Sequence, residues 1–176
     1  MFENNKNFYP TPSKLIGQMI AMIEGTPQKI LEPSAGKGDI VEALNKRYDS
    51  RFGGRSHEVL TMETDPELQA CLRGKGIKMI DSDFLAYTGP DKFDLIIANP
   101  PFDEGDKHLL KALDIIYRGQ IIFLLNAETI RNPFTNIRKL LIRRLEELGA
   151  SIRFIPDAFV EAERQTAVEG HWSISR

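Results

Sequence analysis

One cysteine in 176 residues, Cys71, leaves no partner for an internal disulfide and excludes a cysteine-cluster metal site. Flanked by Leu68 and Leu72 at helical spacing, it reads as a small core residue. Long apolar runs are missing too: no uninterrupted stretch approaches the roughly 20 residues that span a bilayer. The opening segment MFENNKNFYP lacks the basic-then-apolar order of a secretory signal. A cytoplasmic chain with no membrane partner is expected. His57 and His108 have no neighbours spaced as metal ligands or as a catalytic pair, so no metal is expected and neither residue is assigned chemistry. Charge of one sign is also lacking. A formal net charge of −2 argues against strong indiscriminate attraction to nucleic acid, while leaving room for a local basic patch.

What is present is an alternation of two periodicities. Leu15, Ile16, Met19, Ile20 and Ile23 fall on one helical face, with Gly25 as a natural stop. Strand-like segments follow at 29–32, 58–63, 77–80, 93–98, 120–125 and 151–155. Helical patterns lie between them: Ile40/Val41/Leu44/Tyr48, residues 66–73, Leu109/Leu110/Leu113/Ile116/Tyr117, and Ile137/Leu140/Leu141/Leu145/Leu148. Strand–helix alternation at this spacing predicts an α/β fold, a mostly parallel sheet with helices on both faces. No repeat, low-complexity tract or linker interrupts it, so residues 1–176 read as one domain, with 1–27 as an N-terminal helical segment. In such a sheet, ligands bind beyond the carboxyl ends of the strands, near the point where the strand order reverses.

Residues just after the strands are therefore the ones to read for chemistry. The first strand ends in ILEPSAGKGDI, where Glu32 and Pro33 precede a small-residue loop through Ala35, Gly36 and Gly38. Glycines there allow tight turning and close approach of a ligand to the backbone; a bare G-x-G fits a plain turn equally well. The spacing does not match a phosphate-gripping Walker loop, and Val41 stands where a dinucleotide fingerprint has its third glycine. A carboxylate at Glu32 suits a cationic ligand and repels a pyrophosphate. Glu63, after the second strand, sits where a carboxylate accepts both hydroxyls of a ribose. Asp83 and Phe84, after the third, are placed to accept from an exocyclic amine and to lie against a purine. Each acid alone reads as a solvated turn residue. Together with the glycine loop they fit one ligand carrying an amino group, a ribose and an adenine.

The fourth strand runs into Asn99-Pro100-Pro101-Phe102. A turn after a strand is one reading of Asn-Pro. The other is chemical. Proline at 100 biases Asn99 toward extended backbone, and Pro100 has a carbonyl acceptor but no N–H. The Asn99 side-chain oxygen and the Pro100 carbonyl thus make two acceptors on a stiff frame, suited to gripping both hydrogens of a planar –NH₂ group. Accepting both N–H bonds favours a pyramidal nitrogen whose lone pair can attack. Phe102 adds a flat apolar surface for a base.

The ordered set FYPTP, LEPSAGKG, METDP, DSDFL and NPPF resembles the S-adenosylmethionine-dependent amino methyltransferases, above all the DNA adenine methyltransferases that modify the N6 amine. The resemblance covers nearly the whole chain. It implies the class I Rossmann-like methyltransferase fold, a mostly parallel seven-stranded sheet with a reversed final strand. By the same resemblance, Thr11 and Pro12 lie over the methionine end of S-adenosylmethionine and Glu32 near its amino group. Glu63 binds the ribose, Asp83 and Phe84 the adenine, Asn99 to Phe102 the target amine, and Phe159 a second face of the base. A core phenylalanine is the other reading of Phe159.

Departures matter as well. A target-recognition region usually follows the catalytic domain in relatives with this motif order, and here nothing does. A separate recognition subunit is therefore an expected partner, beside nucleic acid, DNA ahead of RNA. Only His171 to Ser175 remain for a final strand, expected to be short or truncated. RNA adenine, a protein glutamine amide, or a non-catalytic role in a larger complex are the rival readings. RNPFTNIRKLLIRR reads equally as the solvated face of an amphipathic helix and as a phosphate-contacting ridge, with Arg131 the candidate on the active-site side.

Overall fold

The computed structural model describes residues 10–49, 57–116 and 118–155, and the backbone of 171–175. Tyr117 and Phe159 lie outside the described residues, as do 1–9. The chain runs α1 (Ser13–Ala21), β1 (Lys29–Glu32), α2 (Asp39–Arg47), β2 (Glu58–Met62), α3 (Pro66–Gly74), β3 (Met79–Asp81), β4 (Leu95–Ala98) and α4 (Gly105–Ile115). Then come β5 (Gln120–Leu124), α5 (Glu128–Arg131), α6 (Asn136–Glu147), β6 (Ser151–Arg153) and β7 (His171–Ser175).

β1 lies between β2 and β4, with Leu31 opposite Leu60 on one side and Ile96 on the other. β3 extends the sheet past β2 and β5 past β4, all parallel. Five of the strands, β3, β2, β1, β4 and β5, form its continuous parallel part. β7 and β6 join it through antiparallel pairing alone, β7 on β5 and β6 on β7, giving the order β3-β2-β1-β4-β5-β7-β6. The crossover between β1 and β4 puts the reversal of strand order beside the glycine loop, where a ligand crevice opens.

Strand alternation sends the two halves of the core to opposite faces. Ile30, Leu95, Ile97, Ile122 and Leu124 pack against Leu15, Ile16, Met19 and Ile23 of the α1 region and Ile40 and Leu44 of α2. Leu31, Leu60, Ile96, Ala98, Ile121 and Phe123 point the other way, against Leu109 and Leu113 of α4 and Leu141 and Leu145 of α6. Burying each such side chain contributes about 1.5–3 kcal/mol before entropy is counted. The end of α1 is also pinned by polar groups: Gln120, buried at the start of β5, donates to the Met22 carbonyl at 2.8 Å and accepts from the Glu24 amide at 3.0 Å.

Element boundaries depart from the periodic pattern for local reasons. α1 ends at Ala21 rather than Glu24 because the Met22 and Ile23 amides reach back three residues, to Met19 and Ile20, in a tightened last turn. β3 starts at Met79 rather than Ile77 because the Ile77 amide closes α3 on the Leu72 carbonyl at 3.0 Å. The loop expected around Arg131 contains the one-turn helix α5, whose first amide is taken by the Asn126 side chain. No helix among the described residues is long and apolar enough to cross a membrane.

Candidate active site

The loop after β1 is closed by backbone bonds: the Ala35 amide reaches the Met62 carbonyl at 3.1 Å and the Gly38 amide returns to Ala35 at 2.7 Å. Gly36 and Gly38 both take positive φ, 55° and 86°. Their reasons differ. Gly36 lines a cavity and donates its amide to Glu63 Oε2 at 2.8 Å. Gly38 caps α2, and a Cβ there would meet Ile77 Cδ1 at 2.5 Å, so its smallness serves packing against the α3–β3 turn.

The cavity gathers Thr11, Glu32, Ala35 and Gly36 on one side, Glu63 from the end of β2, and Asn99, Pro100, Pro101 and Phe102 from the end of β4. Of the residues singled out in the sequence, these are the ones brought together. Pro12 caps α1 and accepts from the Ile16 amide, and Pro33 is buried within the loop; neither lines the cavity. Asp83 and Phe84 do not line it either. Asp83 is exposed and accepts the Leu85 and Ala86 amides on Oδ1, bracing its own turn. Phe84 is 2% exposed in the core, tilted against the His108 ring at 5.6 Å, so its ring offers no open face to a purine. Arg131 lies on the surface with its guanidinium 4.4 Å over the Phe154 ring. His108 is buried, its pKa lowered by desolvation, with Nδ1 against the Glu104 carbonyl. Cys71 is half-buried.

Three carboxylates crowd one wall. Glu32 is 1% exposed, and its Oε2 has no hydrogen-bond partner among the described residues. Burial, reinforced by the charges of Asp39 and Glu63, pushes its pKa well above the usual carboxylate range. Glu63 is braced instead: Oε2 takes the Gly36 amide and Oε1 the Asp65 amide, at 2.8 and 2.9 Å. No group of three His, Cys, Asp or Glu among the described residues is arranged to hold a metal. Across the cavity, Asn99 Nδ2 donates to Thr11 Oγ1 at 3.0 Å, which turns the amide oxygen away from Thr11. That bond gives Thr11 a place in orienting Asn99, which sequence spacing across 88 residues did not reveal. Asp39, Lys37, Ser34 and Thr64 also line the cavity and were missed. Asp39, directly after the second loop glycine, was the readable one.

No protein-family model matches the chain. A type II methyltransferase, M.CvrRI of Paramecium bursaria Chlorella virus XZ-6E, is 34% identical over 86 residues, 47% of this chain and 21% of that protein. The match thus spans about a fifth of that relative's length. Among solved structures, the 23S rRNA methyltransferase ErmE superposes with TM-score 0.67 at 18% identity over 97% of this chain and 70% of its own. A dimethyladenosine transferase from Plasmodium falciparum gives 0.63 at 13% identity, covering 94% and 62%. An O-methyltransferase from Bacillus cereus in complex with S-adenosylhomocysteine gives 0.66 at 14% identity, covering 99% and 85%. The chain has the Rossmann-like α/β fold of the methyltransferases.

Proposed function

We propose that this chain is an S-adenosylmethionine-dependent methyltransferase acting on the exocyclic N6 amine of adenine in nucleic acid, DNA ahead of RNA. The observation that carries the reading is convergence: the loop after β1, with Glu32 and Gly36, and Asn99 to Phe102 after β4 line one cavity at the strand-order reversal.

The residues present fit the cofactor. A buried carboxylate oxygen lacking a partner among the described residues suits an ammonium. Glu63 keeps lone pairs for a ribose diol after accepting two amides. Gly36 lets the backbone approach closely. When bound, S-adenosylmethionine supplies an electrophilic methyl group on a sulfonium. In this reading the adenine extends past the cavity wall, where Asp83, on the turn after β3 at the same end of the sheet, accepts its amine with the second carboxylate oxygen while Phe84 supports that turn from the core.

The chain's own part is to hold the target amine. Asn99 accepts one N–H on its side-chain oxygen and Pro100 the other on its carbonyl, so the nitrogen becomes pyramidal and its lone pair is directed outward. Thr11 fixes the Asn99 amide for this task. Phe102, half-buried on the cavity wall, stacks on the base after it leaves its helix. Catalysis then rests on positioning and preorganised acceptors rather than on a strong base. A separate target-recognition subunit belongs to this proposal as a partner.

The test separates binding from chemistry. Asn99→Ala removes one acceptor, so transfer to an adenine-containing oligonucleotide should fall by two or more orders of magnitude, while S-adenosylhomocysteine affinity, measured by calorimetry, changes less than threefold; these are about the losses seen when one preorganised polar group is deleted. Equal loss of both would make Asn99 a turn residue only.

A further inference from the structure

We infer that the surface formed by α5, the 132–135 loop and the first turns of α6 receives single-stranded nucleic acid, with Phe134 as its stacking platform. This deepens the nucleic-acid reading above and rests on it.

The β4–β5 register sets Ala98 opposite Phe123, so the chain leaving β5 emerges beside Asn99, at the cavity end of the sheet. α5 and the 132–135 loop follow at that end, and α6 then carries the chain back toward β6. At about 1.5 Å per residue, Arg143 and Arg144 lie roughly 10 Å farther from the site than the start of α6. From Thr129 to Leu145 there are five cations and no anion, in a chain of net charge −2.

The two ends of that stretch differ. At the far end, Arg144 pairs with Asp114, and Arg143 lies 4.0 Å from Glu147. At the near end, Lys139 is exposed and makes no ion pair among the described residues. Arg138 has its Nε 3.6 Å from Asp106, and its guanidinium sits 4.9 Å over the Phe134 ring. Phe134 is 68% exposed, and Ile137, three residues on, is 40% exposed. Arg131 covers Phe154 in the same manner.

Packing does not explain an aromatic ring held that far into water at the cavity end of the sheet. A ring carrying a guanidinium on one face and open on the other suits a nucleobase, and neighbouring cations suit phosphates. An acidic peptide would satisfy the cations but not the open ring. A duplex would bring phosphates but keep its bases stacked inside.

The experiment uses the full chain, saturated with S-adenosylhomocysteine, and labelled single-stranded DNA and RNA oligonucleotides followed by fluorescence anisotropy. Phe134→Ala should weaken binding roughly 5- to 150-fold, the range for losing one stacked base. Phe134→Trp should restore it. Calorimetric affinity for S-adenosylhomocysteine should stay unchanged in both. Lys139→Ala should flatten the log–log salt dependence by about 0.7, and Arg143→Ala should leave it as it was. Wild-type binding in Phe134→Ala, or equal effects of Lys139→Ala and Arg143→Ala, would overturn the inference. Equal displacement of the oligonucleotide by polyglutamate from wild type and Phe134→Ala would also overturn it. If nucleic acid is methylated with unchanged KM in Phe134→Ala, this surface is wrong and the proposed function stands. If S-adenosylhomocysteine binds and no nucleic acid is methylated, both fail.

Discussion

Glu32 is held almost fully out of water by the core around β1, and its raised pKa means that the folded chain keeps a proton the unfolded chain has released. Between the ordinary carboxylate range and that raised value, stability therefore falls as pH rises; below the ordinary range the cost is absent. Glu32→Gln removes the ionisable group and should raise the stability of the ligand-free protein relative to wild type at pH 8, with no gain at pH 4. Thermal unfolding at the two pH values measures the difference. The same variant should bind S-adenosylhomocysteine more weakly at pH 8, since the ammonium loses its counter-charge. A variant no more stable than wild type at pH 8 would mean that Glu32 is already satisfied. Thr11 makes a second residue-scale case. Thr11→Val should lower turnover about tenfold, the worth of one hydrogen bond in the transition state, while leaving cofactor affinity unchanged. Loss of affinity instead would return Thr11 to the cofactor-binding role that the sequence suggested.

At the scale of elements, the two loop glycines separate stability from binding. Gly38→Ala forces a left-handed φ of 86° on a Cβ that meets Ile77, and should cost about 1–2 kcal/mol while leaving the cofactor's surroundings intact. Gly36→Val, also at a positive φ of 55°, should lose stability too, but it should in addition weaken cofactor binding by filling the cavity wall, so calorimetry is the measurement that separates the two variants. The sequence could not tell these glycines apart, because what distinguishes them is Ile77, brought close only by the turn that ends α3. Strand and helix order was readable because a strand covered on both faces is a continuous apolar run, as at Leu95–Ala98, and such a run is local to the strand. Phe84 was harder to read for the opposite reason. Whether an aromatic after a strand faces a ligand or a core depends on a distant helix, here α4 with His108. α5 escaped because four residues carry no period to detect.

At the scale of the whole molecule, the charge is nearly balanced and the near-site cations are few, so affinity for duplex should be low and its salt dependence shallow. Extruding a paired adenine costs a few kcal/mol, which few contacts here offset, and methylation should run faster on single-stranded or mismatched adenine than on paired adenine. The most direct test of the account is transfer of a labelled methyl group from S-adenosylmethionine to single-stranded DNA, duplex DNA, RNA and protein in parallel, with the product identified after digestion. Label is expected in nucleic acid as N6-methyladenine, at the highest initial rate on single-stranded DNA. Label recovered only on a protein glutamine, or no transfer from a chain that binds S-adenosylhomocysteine, would contradict it.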